Sequence, residues 1–472
     1  MTPIARADTG WLNTAVDSPA PSPLLTLGFL SFCFYVFAFC SRILDFGVAR
    51  YHLPGIAFGL AILMSVLSGR IIDVLQDRIA VYMVGLSLWL VLAIPGSFWR
   101  SGSIAVLIEE WIPSMVLFLV GGAVIATLKQ CRYSLYVVGL ASGAGALLVN
   151  LRGEMVLDRL VVEHTTFANS NTIAIKLLLG MPMVWLLAAG ARTGVFRKTL
   201  VGGGLILMLV VLFRSGSREG LVGLAVLCAT AFVRSSPGGK IMLAIAMVAL
   251  VMGTALFLPR SLKARFETIF QGATVETQVA QTEAELRLLI SARGSSQNRW
   301  AMLVDSVKLS LQHPLLGVGP GQYAVYSADQ ARANGRFGQW IGTHNTYTQL
   351  SSEAGIPALC LYVGALLLSM RALGRIYRRA RRIRSEQAHD IAATALALQT
   401  SFIVFGVCAL FNHMAYELTM PLMAGITVAM KRAAPDELNR LEDAERRQAV
   451  AAESLLPVLP NPSPHRSRFV AG

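Results

Sequence analysis

Apolar residues in this chain come in long uninterrupted blocks, not at the period-2 or period-3.6 spacings of half-buried strands and helices. A helix needs roughly 20 mostly apolar residues to cross the hydrocarbon core of a bilayer. Blocks approaching that length predict spans at Leu24–Cys40, Leu53–Ser68, Ile79–Ile94, Trp111–Leu128, Ser134–Asn150 and Asn171–Ala191. They continue at Thr199–Phe213, Gly220–Val233, Ile241–Pro259, Gly355–Leu373, Ile391–Phe411 and Leu418–Met430. The pattern predicts an all-α polytopic membrane protein with about twelve transmembrane helices.

These spans divide the chain into a polar N-terminal segment, 1–23, transmembrane helices one to nine over 24–259, and a large connection, 260–354. Helices ten to twelve follow over 355–430, then a tail, 431–472, in which charge, Pro and Ser mix and partial disorder is expected. The N-terminal segment has no basic region leading to a cleavage site, so the first block reads as an uncleaved anchor. Within the large connection, Glu276–Arg293 and Ser296–Leu311 read as amphipathic helices. Loops of this length in compact proteins usually carry function.

Basic residues orient the layout. With the N-terminus in the cytoplasm, the even-numbered loops hold sixteen Lys and Arg and the short odd-numbered loops hold seven. Cytoplasmic loops collect such residues, so both termini are expected inside and the 260–354 connection on the extracytoplasmic side.

Composition removes the soluble alternatives. Of 472 residues, 54% are hydrophobic and 14% charged, against about 25% charged in soluble domains, and mean hydropathy is +0.58. The formal charge of +14 needs no nucleic acid to explain it, because the loops account for the excess. The six cysteines form no CxxC pair, which argues against a disulfide framework or zinc site. No Asp-x-Asp occurs, and the acids expected on the outer face are mostly scattered singly. Neither a metal nor a cofactor is expected.

Three patches expected on the outer face carry possible chemistry. The first, Phe213-Arg214-Ser215-Gly216-Ser217-Arg218-Glu219-Gly220, puts two arginines where charge bias disfavours them. They read either as long basic chains snorkelling to the interface or as an anion site, where a guanidinium forks onto phosphate oxygens beside a helix N-terminus. The second holds Gln297-Asn298-Arg299-Trp300 and the turn-rich run His313-Pro-Leu-Leu-Gly-Val-Gly-Pro-Gly-Gln-Tyr323, which lacks the Lys-Ser/Thr of a P-loop. Arg299 reads equally as a surface charge or a ligand-binding one. The third is Gly342-Thr-His344-Asn345-Thr-Tyr347-Thr-Gln-Leu350, running to Glu353-Ala-Gly355-Ile-Pro357. If helical, it places His344, Tyr347, Thr348 and Ser351 on one face, and His344 reads as either structural or catalytic.

The His313–Tyr323 run, the His344-Asn-Thr-Tyr stretch and Gly355-Ile-Pro resemble the O-antigen ligase/polymerase superfamily. In that family a "hPllGvGpg" turn precedes an "HNxyl" helix start within a large periplasmic loop. Ser217-Arg218-Glu219-Gly220 is similar to its Ser-Arg-Gly element, with Glu219 as a departure. The resemblance implies a C-type membrane glycosyltransferase fold. It also implies an undecaprenyl-pyrophosphate-linked O-polysaccharide donor within the lipid bilayer and, in the ligase branch, a sugar hydroxyl of lipid A–core as acceptor.

The residue types suit such a transfer. A hydroxyl must lose its proton while it displaces pyrophosphate from an anomeric carbon, with inversion. His344, with an ordinary pKa of about 6.5, suits the base. Arg218 and Arg299 suit neutralisation of the leaving group, with Arg214 in reserve. Trp300, Asn345 and Tyr347 are substrate-binding candidates. An O-antigen polymerase and a protein O-oligosaccharyltransferase share donor and motifs and differ in acceptor. A transporter would show internal repeats or intraspan charges; no repeat is visible, and Lys176 is the one obvious intraspan charge.

The layout predicts that cysteines placed at Gln271 and Ala333 react with an impermeant thiol reagent from the periplasmic side, while one at Ser385 does not. The reverse labelling pattern in intact cells inverts the topology.

Overall fold

The computed structural model describes residues 22–46, 51–156, 159–162, 165–190, 193–257, 266, 299–335, 338 and 340–454. The expected segments at 1–21 and Glu276–Arg293 lie outside them. All twelve apolar blocks are helical at their cores. The helices are α1 Pro23–Ser41, α2 Leu53–Leu67, α3 Ile71–Leu75, α4 Arg78–Ala93, α5 Arg100–Val106, α6 Ile112–Val124, α7 Leu128–Arg152 and α8 Ser170–Leu186. Then come α9 Val195–Arg214, α10 Arg218–Arg234 and α11 Pro237–Phe257. A helix described from 299 to 312 is α12, followed by α13 Tyr323–Ala333, α14 Thr346–Glu353, α15 Gly355–Ala380, α16 Glu386–Cys408 and α17 Thr419–Ser454. Among the described residues, seven helical stretches are long and apolar enough to cross a membrane, and three shorter apolar helices accompany them. The protein is a polytopic membrane protein.

The most buried long helix is α16: 78% of its apolar window lies inside the bundle, against 22% for α9. Around α16 pack α8, α10 and α15; α7 packs on α8 and α1, and α4 packs on α15. Core helices in a bilayer approach closely through small side chains. Gly139 of α7 lies against the Met183–Val184 backbone of α8, and Gly425 of α17 against Phe118 of α6.

Three features differ from the sequence expectation. The 431–472 tail is not irregular from its start, because α17 runs on to Ser454. Arg379 holds it through a hydrogen-bonded ion pair to Glu442 (2.8 Å), and Lys431 pairs with Asp77 (2.5 Å). A short antiparallel hairpin, Glu154–Val156 with Arg159–Val161, interrupts the otherwise helical fold. His344 is not part of a helix face: it has a positive φ of 49°, and α14 begins after it. The cause is Asn345, whose side chain caps α14 by accepting from the Tyr347 and Thr348 N–H groups.

The Gly-Pro run builds a clamp. Val318 N–H and Gly319 N–H donate to the Ser352 and Glu353 carbonyls, and Ile356 N–H donates to the Pro314 carbonyl. Ser103 Oγ donates to the Pro320 carbonyl, and Trp89 Nε1 to that of Ala354. The buried Glu353 carboxylate accepts from Gly321 N–H (3.0 Å), Tyr323 N–H (3.3 Å) and Tyr416 O–H (2.9 Å). It thereby joins the turn, α14 and the α16–α17 connection. Burial raises its pKa to about 7, against the pull of those donors.

Gly355 combines a φ of 85° with the Leu315 carbonyl oxygen 1.9 Å from where a Cβ would sit; Gly335, with a φ of 68°, faces open space. Gly335→Ala is expected to cost about 1 kcal/mol. Gly355→Ala is expected to cost about 3 kcal/mol or more, from strain plus overpacking. Thermal melting of the detergent-purified protein should show the larger drop for Gly355→Ala, and equal drops would remove the clamp argument.

Candidate active site

The helix ends 41, 150–170, 214–218 and 408–419 gather at one end of the bundle, together with Arg299 and His344. The turn between α9 and α10 is fixed by local polar chemistry. Gly216 takes a positive φ of 61°, Ser215 Oγ donates to the Leu212 carbonyl, and Ser217 caps α10 by accepting from Gly220 N–H. Ser217 Oγ also donates to Asn171 Oδ1 (2.9 Å), which ties the turn to the start of α8.

Arg159 joins this cluster from the short hairpin. Its Nη2 donates to Asn171 Oδ1 (2.6 Å) and its Nε to the Ser215 carbonyl (3.3 Å). Burial lowers its pKa to about 10, helped by the like charges of Arg299 and Arg218, while Glu219 opposes the shift. Arg218, similarly desolvated and near Arg299, is shifted down as well.

Arg299 is the hub. Its Nη1 lies 3.6 Å from Glu219 Oε2, with the Glu219 side chain only 1% exposed. Glu219 sits in the first turn of α10, ahead of the apolar block that begins at Gly220, and burial raises its pKa to about 7 against the pull of Arg299 and Arg159. Neither of its carboxylate oxygens accepts a hydrogen bond among the described residues. Two guanidinium groups, Arg299 and Arg159, therefore share one carboxylate, and Arg218 lies beside Arg299.

His344 faces the same charge. Its ring meets that of His413 edge-on, with centroids 5.3 Å apart. Burial, then Arg299, then His413 lower its pKa to about 4. This departs from the value near 6.5 expected of an isolated imidazole, and it leaves His344 neutral at physiological pH. Its Nδ1 is buried without a hydrogen-bond partner among the described residues. The backbone around it is rigid: Thr346 N–H donates to the Ala409 carbonyl, Thr346 Oγ1 to that of Asn412 and Asn345 Nδ2 to that of Leu410.

The structure thus brings His344, Arg218 and Arg299 together and spends other candidates elsewhere. Arg214 turns to Asn150, donating from Nη1 to Oδ1 (2.7 Å). Asn345 caps α14, and Tyr347 donates its hydroxyl to the Gly406 carbonyl (2.7 Å). Trp300 stands 68% exposed beside Arg299, open to a ligand that reaches that surface. Arg159, Glu219 and His413 complete the cluster without being legible as site residues. Among the described residues, no group of three or more His, Cys, Asp or Glu could hold a metal ion.

Residues 203–363 match a family model described as O-antigen ligase. The matched stretch contains Arg218, Glu219, Arg299, His344 and the clamp, whereas Arg159 and His413 fall outside it. The match supports a membrane enzyme of the ligase or polymerase type. One solved structure, described as "Structural coordination of polymerization and crosslinking by a peptidoglycan synthase complex", aligns with a TM-score of 0.36 and 14% identity, covering 74% of this chain and 96% of that one. Comparison with curated proteins finds no match.

The site's electrostatics predict that His344, followed by NMR of labelled histidines, titrates near pH 4. Removing a nearby positive charge favours the imidazolium, so Arg299→Gln should raise the midpoint toward 6.5. Because folding depresses this pKa, the corresponding stability is present above about 6.5 and fades as pH falls toward 4. A midpoint of about 6.5 in the unaltered protein would remove Arg299 from the His344 environment.

Proposed function

We propose that this chain transfers a polysaccharide from undecaprenyl pyrophosphate to a sugar hydroxyl of lipid A–core at the periplasmic face of the bacterial inner membrane. The observation that carries this reading is the meeting of a neutral, buried imidazole with three guanidinium groups at one end of a membrane bundle. The basic loops gather at the opposite end, which supports placing the site outside the cytoplasm.

Pyrophosphate fits the arginine cluster because its oxygens accept bidentate hydrogen bonds and its charge supplies the anion the cluster lacks. Before the donor arrives, Glu219 holds Arg299 in place, and pyrophosphate then competes for the same cation. The acceptor hydroxyl gives its proton to His344 while its oxygen bonds to the anomeric carbon. The bond from that carbon to the phosphate oxygen breaks, its electron pair leaves on pyrophosphate, and the configuration inverts. A base with a pKa of about 4 is weak. The bound pyrophosphate offsets Arg299 and strengthens it, so His344 becomes an effective base only when the donor is in place.

His344→Ala should lower transfer by roughly 10²–10⁴-fold, the usual worth of general-base assistance, while the protein stays folded. Arg218→Ala and Arg299→Ala should each lose most activity, and Lys at either position should restore only part, since an ammonium lacks the guanidinium fork. The assay uses purified donor with lipid A–core, glycan and peptide acceptors in parallel and is repeated in excess EDTA, which should not slow it. Near-normal turnover of His344→Ala would make His344 structural. Transfer to the growing glycan instead of lipid A–core would make the protein a polymerase, and chelator loss restored by one cation would sink the arginine mechanism.

A further inference from the structure

At the end of the bundle opposite the site lies a second cationic feature, a cavity of about 1540 Å³ between the ends of α1, α7, α9, α16 and α17. Ligand pockets commonly occupy roughly 300–1,000 Å³, so this one has room for a phospholipid headgroup and the start of its tails. Arg70, Lys129, Arg197 and Arg432 all line it, and none forms an ion pair among the described residues. Lys129 and Arg197 lie over the rings of Tyr133 and Tyr136. Arg432 donates from Nη2 to the Gly122 carbonyl, but its Nε and Nη1 are buried and unpartnered.

Charge within the wall does not cancel. Arg132 is paired with Asp390, and Arg440 with Glu437. The wall's other acids are Glu386 and Asp436, two against the four other cations. Buried donors and charges without partners are costly, so such a cavity favours an anion that can accept several hydrogen bonds.

The other wall is apolar. Leu25, Phe29 and Leu30 of α1 line the cavity, and Leu30 belongs equally to the exposed face Leu27, Leu30 and Phe34 of that helix. A cationic floor that opens onto a lipid-facing stripe matches a molecule with a phosphate at one end and acyl chains at the other. Basic pockets between membrane helices on the cytoplasmic side bind anionic headgroups in this manner.

We propose that this cavity binds the phosphate headgroup of an anionic phospholipid, its acyl chains lying along the exposed face of α1. The lipid closes the cleft between the ends of α1, α7, α9 and α17 and neutralises the cations that the fold leaves unpaired there.

The test uses the full chain, purified and reconstituted into nanodiscs of phosphatidylcholine with or without phosphatidylglycerol. Bound lipid is counted by native mass spectrometry, and thermal melting is followed in parallel. Phosphatidylglycerol should be retained and raise the melting temperature, whereas phosphatidylcholine should do neither. Lys129→Gln with Arg197→Gln should weaken retention roughly thirtyfold, at about one Lys or Arg headgroup interaction per substitution. Arg371→Gln with Arg375→Gln removes the same net charge from exposed positions outside the cavity and should leave retention intact. If the double variant at 129 and 197 misfolds, Lys129→Gln alone should give a smaller loss in the same direction. Equal retention by the cavity variants would make the lipid merely annular and overturn the proposal. A melting shift produced by inorganic phosphate alone, with no retained phosphatidylglycerol, would overturn the lipid assignment in favour of a small anion.

Discussion

A guanidinium withdrawn from water needs an anion, and much of the arrangement at the site end follows from that requirement. Arg299 finds Glu219, but one carboxylate cannot neutralise Arg159 and Arg299 together. The surplus shows in its neighbours: Arg159 and Arg218 lose some of their grip on protons, and His344 and His413 resist taking one. These responses share one cause, a low-dielectric pocket with too little negative charge. A dianionic leaving group would answer that deficit, and the same deficit keeps the imidazole neutral beforehand.

Such a field is useful only if its members cannot drift. The second buried carboxylate, Glu353, serves that end by gathering two backbone N–H groups and the Tyr416 hydroxyl around itself. The glycines at 317, 319, 321 and 355 take left-handed conformations; Gly317 thereby passes against the backbone of residues 353–354 and Gly355 against the Leu315 carbonyl without a side chain between. Asn345 and Tyr347 belong to the same scaffold. Their polar groups go to backbone partners, so they act on His344 by fixing the chain around it.

Most of the membrane architecture was legible because hydropathy is a local property: an apolar block becomes a helix whatever its neighbours are. The helix bounds differ from the blocks mainly where polar residues extend a helix, as when α17 continues from Met430 to Ser454 through pairs such as Arg379–Glu442. A partner 63 residues away leaves no local trace. His344, Arg218 and Arg299 were legible from motif and charge placement. Arg159 and His413 were not, because each sits in a short connection whose sequence reads as ordinary loop, and only the packing of α8 and α16 carries them to the site. Glu219 stood in plain view as a departure from a motif, but its meaning depends on Arg299, which lies across the undescribed stretch of the large connection.

The two ends of the bundle share surplus cations but differ in how many pairs tie their helices together. At the opposite end, Arg132, Arg379 and Lys431 meet Asp390, Glu442 and Asp77 directly and hold helices to one another, while the cavity cations Arg70, Lys129, Arg197 and Arg432 form no ion pair among the described residues. At the site end the Glu219 carboxylate serves both Arg299 and Arg159, so the fold leaves charge unanswered where a substrate can answer it. Pairing every arginine with its own carboxylate would make that end a better strut and a poorer pyrophosphate site, since each oxygen of the ligand would have to displace an internal partner first. Unequal charge is thus a form of preorganisation: interactions withheld from the resting protein remain available to the leaving group as its charge develops.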